Sequence, residues 1–85
     1  NLQNLGKLLI GENVKEMLEC DLQLEMLAIP TLREGMVYAE SVQDYVSRDL
    51  LGSILRSEEE HVDWLETQLE LISRIGIENY QQSMI

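Results

Sequence analysis

Glu58 and His61 stand three positions apart in the run Ser57-Glu58-Glu59-Glu60-His61. On a helix a carboxylate and an imidazole at that spacing project from one face, so both can reach the same cation. What separates this run from an ordinary acidic stretch is its surroundings. At 3.6 residues per turn, Ser47, Leu51, Ile54, Val62, Leu65, Leu69 and Ile72 all fall near the direction of Glu58, which therefore sits in the middle of an apolar stripe. A carboxylate on a core face is costly unless something pairs it, and a metal ion is one of the few partners that can. Glu59, Glu60 and Asp63 point away from the stripe and read as solvated surface, the usual fate of a charge run.

A second carboxylate repeats the pattern. Val14, Leu18, Ile29, Leu32 and Met36 lie within about 40° of one helical direction, and Glu25 points the same way. If the two stripes belong to an antiparallel hairpin that turns between positions 41 and 42, Glu25 and Glu58 each lie about 25 Å from the turn and meet at one height. By the same count His61 is level with Leu22, which brings Asp21 into reach as a partner that would fix the imidazole tautomer. Hard oxygen ligands with an imidazole suit iron, manganese or zinc. A purely structural zinc site fits less well, because the ligands are mainly carboxylates. Glu25, Glu58 and His61 amount to half of the four-carboxylate, two-imidazole set that holds a dinuclear centre in a four-helix bundle.

The elements that must carry these residues are all helical. Positions 1–11 hold two glycines and scattered leucines without a period and read as an ordered connector. A first helix is expected over 12–40, with Asn13 as N-cap and Glu16 completing a capping-box-like pair. Pro30 falls inside it, removes the hydrogen bond to the Met26 carbonyl, and predicts a kink or break after Glu25. Ser41 reads as the turn or the next N-cap, with Asp44 at its third position. A second helix is expected over 42–75, ended by Gly76, with Arg74 in its last turn. A short final helix covers 77–84. The fold class is thus all-α: a long antiparallel hairpin plus a short terminal helix, half of a four-helix bundle.

Composition bounds the function. Sixteen acidic against six basic residues give a net charge of -10, which argues against a nucleic acid or an anionic membrane as partner and favours cations. No stretch of about 18 apolar residues and no basic-apolar leader is present, so a cytoplasmic location is expected. The single cysteine, Cys20, lies off the stripe and excludes a disulfide framework within the chain. An 85-residue chain buries a thin core, and each stripe is only partly covered by the other, so a further partner is expected. An opening at Asn1 rather than Met is compatible with a fragment or a processed piece.

In this order the residues resemble the C-terminal half of the bacterioferritins, within the ferritin superfamily. The likeness runs through nearly the whole chain. Asn1-Leu2-Gln3-Asn4-Leu5-Gly6-Lys7-Leu8 resembles the crossover between the family's second and third helices. Asp44-Tyr45-Val46-Ser47-Arg48-Asp49 and Asp63-Trp64-Leu65-Glu66-Thr67 resemble its fourth helix, and Gly76 with Glu78-Asn79-Tyr80 the start of its short fifth.

The resemblance implies a ferroxidase, in which Glu25 is a terminal ligand of one iron, Glu58 bridges two, and His61 is the imidazole on the same iron as Glu25. It implies oxidation of ferrous iron by dioxygen or peroxide and storage as ferric mineral in a homo-oligomeric cage of 24 subunits. Trp64 matches an aromatic residue credited with electron supply, against a plain packing role. Asn79 and Gln82 would face a symmetric channel, so removing the residues after Ile75 is expected to alter assembly rather than chemistry. The family's haem b is held by a methionine of the second helix, and Met17, Met26, Met36 and Met84 do not match that position. The missing helices would supply the other ligands, as a separate N-terminal half or through a second copy. The rival expectation is a helical assembly module without catalytic activity.

Overall fold

In the computed structural model, residues 13–83 are described. They form helix α1 (Val14–Ser41), helix α2 (Tyr45–Ile75) and a short α3 (Ile77–Ser83), with no strand among them. The connector read over 1–11, the start at Glu12 and the last residue of the 77–84 segment lie outside the described residues.

The two long helices pack antiparallel. Contacts step down α1 as they climb α2: Arg48 pairs with Glu40, Gly52 meets Met36, Arg33 pairs with Glu59 and Leu18 shares a core with Leu65. Gly35 and Gly52 make this close approach possible. A Cβ at Gly35 would come 3.2 Å from Leu51 Cδ1, and one at Gly52 would come 3.3 Å from Met36 Cε. The helix also runs unbroken through Pro30, on whose exposed side the lost backbone bond is tolerated. The break that Pro30 suggested does not occur, because packing along the stripe outweighs one missing hydrogen bond.

The turn differs from the reading in which Ser41 was the turn or an N-cap. Ser41 is the last residue of α1, its Oγ donating to the Tyr38 carbonyl at 2.6 Å. Gln43 takes φ of 60°, the Asp44 N–H donates to the Ala39 carbonyl at 2.8 Å, and the Gln43 N–H to Glu40 at 3.0 Å. These two bonds around a left-handed residue form a Schellman motif, which satisfies the orphan carbonyls of α1. Asp44 then caps α2 by accepting from the Ser47 N–H at 3.0 Å. At the other end Asn13 makes no side-chain cap; its carbonyl accepts from the Met17 N–H instead.

The core sits at the end away from this turn. Leu18, Leu65, Ile72 and Tyr80 are buried together, with Val14, Leu22, Leu69 and Ile77 packed around them. Gly76, at φ of 82°, turns the chain so that α3 folds back and delivers Tyr80 into the core. There the Tyr80 hydroxyl bonds Gln68 Oε1 at 2.8 Å. The Asn79 amide donates to the Ile75 carbonyl at 2.8 Å and so closes the end of α2. The terminal helix is therefore part of the core as well as a candidate assembly element.

Ion pairs Arg33–Glu59 and Arg48–Glu40 mark one side of the hairpin. On the opposite side α2 carries an exposed stripe of Val46, Leu50, Trp64, Leu71 and Ile75, with Ser57, His61 and Gln68 between them. No Asp, Glu, Lys or Arg occupies those positions.

Two outcomes follow from this packing. Tyr80→Ala should destabilise the fold by about 3 kcal/mol, as aromatic truncations in a core do, measured by urea unfolding followed by circular dichroism. The hydrogen bonds from Ser47 hold the Asp44 carboxyl below its ordinary 3.8. A depressed folded-state value stabilises the protein above the unfolded pKa and ceases to do so as pH falls through the folded one. Asp44→Ala should lower the melting temperature near neutral pH, and its gap from the unsubstituted chain should close on acidification below about pH 3.8.

Candidate metal centre

Both helices bring their stripe carboxylates to one point. Glu25 arrives from the middle of α1, and Glu58 and His61 arrive from the middle of α2. One ligand atom from each lies within 4.8 Å of the other two, and this is the group of three His, Cys, Asp or Glu residues among the described residues that can share an ion. The sequence-derived trio is thus assembled in space.

The partner of His61 is not the one expected. Its Nδ1 stands 3.5 Å from Glu25 Oε1, while Asp21 takes no part in that pair. The reason is register. With α1 ending at Ser41 and α2 beginning at Tyr45, the turn centres on Gln43, and Glu25 and His61 stand eighteen residues to either side of it (43 − 25 = 61 − 43). A turn centred between 41 and 42 had instead set His61 level with Leu22. The residue level with His61 thereby moves by three positions, from Leu22 to Glu25, most of a helical turn, so that Glu25 rather than Asp21 faces the imidazole.

Exposure divides the site. The Glu25 side chain is 17 % exposed, whereas His61 is 44 % exposed on the open side of the hairpin. Glu25 Oε2 is buried with no hydrogen-bond partner. A buried carboxylate oxygen without a hydrogen-bond donor is costly to a small protein, and nearly all buried polar atoms avoid that state. The Glu25–His61 contact involves only the other oxygen. The geometry can therefore accept a cation between Glu25, Glu58 and His61, with the buried Oε2 as a ready ligand. Hard oxygens and one imidazole suit divalent first-row metals.

Trp64 was singled out in the sequence, and its ring lies 6.3 Å from that of His61 at an interplanar angle of 27°. The stacking was unreadable in advance, although a spacing of three positions on one helix allowed it. It restrains the imidazole plane from the open side.

With this geometry in hand, comparison with known proteins decides the family. Residues 2–75 match the ferritin-like domain. The chain belongs to the ferritin family. As a ferritin-family chain it is 46 % identical over 82 residues to a bacterioferritin of Brucella melitensis, covering 96 % of this chain and 51 % of the relative. It is 51 % identical over 77 residues to a bacterial ferritin of Synechocystis, covering 89 % and 49 %. A bacterioferritin of Mycobacterium tuberculosis is 41 % identical over 85 residues, covering 100 % and 54 %. The chain thus spans about half the length of these curated relatives. No helix among the described residues is long and apolar enough to cross a membrane.

Because Glu25 Oε2 is buried and unpartnered, removing the charge should cost the metal-free fold nothing. Glu25→Gln is expected to melt at or above the temperature of the unsubstituted chain in chelator, since the half-exposed pair with His61 is worth at most about 1 kcal/mol. A marked fall in melting temperature would show the carboxylate to be a structural ion-pair partner.

Proposed function

We propose that this chain supplies half of a ferroxidase centre in an iron-storage protein. The observation that carries the reading is the convergence of Glu25, Glu58 and His61 with one carboxylate oxygen buried and unpartnered. Membership of the ferritin family, and relatives named bacterioferritin and bacterial ferritin, agree with it.

Ferrous iron is the substrate. Glu25 and His61 would hold one ion as terminal ligands, and Glu58 would be shared with a second. Two further carboxylates and one imidazole complete the set in a four-helix bundle. A pair of ferrous ions gives up two electrons, which with two protons convert dioxygen to hydrogen peroxide, or peroxide to two waters. The ferric product is stored as mineral in a cage of 24 subunits, formed from chains that lie in the cytoplasm. The net charge of -10 favours cation capture over anion capture. Two of the methionines are taken up by the hairpin itself: Met36 packs against Gly52 in the seam, and Met26 lies on the side of Arg33 and Glu59. No step is drawn through haem.

The test is ferrous titration of this chain co-expressed with the first half of one of the matched relatives, followed in the near ultraviolet on admission of air. An absorbance that saturates at two irons per assembled unit is expected, and Glu58→Ala or His61→Ala should abolish it. A folded, assembled complex without a saturating signal would leave the assembly module as the correct reading.

A further inference from the structure

The imidazole of His61 is lightly held. Its side chain is 44 % exposed, and among the described residues its one polar contact is that of Nδ1 with Glu25 Oε1 at 3.5 Å, longer than a good hydrogen bond. An ion taken by Glu25 and His61 together would also take the place of that contact. Something else has to keep the ring aimed at the site, since a metal-bound imidazole is ordinarily oriented by a neighbour that is not itself a ligand.

We infer that Trp64 is that neighbour, a positioning residue whose indole holds the His61 imidazole in the orientation from which it can ligate. Three observations carry this. The rings stand 6.3 Å apart between centroids with their planes at 27°, within the range of attractive stacking. Contact is through the ring face, so both imidazole nitrogens stay available, one for an ion and the other for a hydrogen bond. Position on the element agrees: Trp64 follows His61 by three residues in the interior of α2, so one rigid helix carries both rings and their approach survives any movement of α1. Finally, the packing of this chain does not account for the indole. Trp64 is 47 % exposed and belongs neither to the cluster of Leu18, Leu65, Ile72 and Tyr80 nor to the residues packed on it. Whatever lies over the open side in the whole protein, the stacked pair forms within α2.

The inference rests on the metal reading, and its test separates the two. Cobalt(II) is titrated without air into this chain co-expressed with the first half of one of the matched relatives, and its visible absorption reports affinity without turnover. Trp64→Leu, which keeps apolar bulk but has no ring face, should weaken cobalt binding by roughly threefold to tenfold, the worth of one stacked aromatic pair. Trp64→Phe should bind as the unsubstituted chain does, because it keeps a ring face while lacking the easily oxidised indole that electron supply would need. With His61→Ala already present, Trp64→Leu should have no further effect, since the coupling runs through the imidazole. Unchanged affinity in Trp64→Leu, an equal loss in Trp64→Phe, or the same loss with and without His61 would each overturn the inference and leave the metal reading intact. Cobalt binding indifferent to His61→Ala would overturn the metal reading and the inference with it. Should Trp64→Leu fail to assemble, Trp64→Met, which fills space without a flat ring, is read in the same way.

Discussion

A carboxylate buried on an apolar seam is the constraint from which the rest of the site follows. Glu25 points along the same stripe that supplies Leu18 and Ile29 to the interior, and one of its oxygens is buried without a hydrogen-bond donor. Such a group raises the energy of the fold unless a cation neutralises it. The opposing Glu58 lies at the same place, and His61 is the third group within reach of a shared ion. The hairpin thus holds, at a cost in stability, three groups placed so that they could share an ion.

That ligand set depends on a turn far from it. Gln43 adopts a left-handed conformation that glycine would take at lower cost, and the Schellman bonds around it fix how α1 hands over to α2. Because helices are rigid over this length, an offset at the turn passes undiminished to the site some eighteen residues away. Gly35 and Gly52 then hold the helices close enough for side chains from both to share one ion. Register and separation are therefore set by residues that never touch the site.

The core at the other end closes the structure. Tyr80 returns along α3 to join Leu65 and Ile72, and Gln68 satisfies its hydroxyl, so a polar residue on α2 has a partner within the chain. Among the described residues the long apolar side of the hairpin has no such cover. Among the described residues the buried ones lie in the seam and this one cluster, and the ferritin-family match extends over a chain half the length of its relatives. The molecule is well held along its axis and open across it.

Much was legible in the residues alone. The 3.6-residue period of the two stripes sufficed for an all-helical hairpin, and the presence of Glu25 and Glu58 on the stripe centres, with His61 three positions on, singled out the site. These are local properties, determined by which residue types recur at helical spacing. Tertiary structure decided what depends on register and on neighbours distant in sequence. It made Asp44 rather than Ser41 the N-cap, carried α1 through Pro30, and brought Tyr80 into the core. It also gave His61 to Glu25 instead of Asp21, because a shift of one or two residues at the turn leaves the periodicity of each helix untouched while changing which side chains meet across the seam.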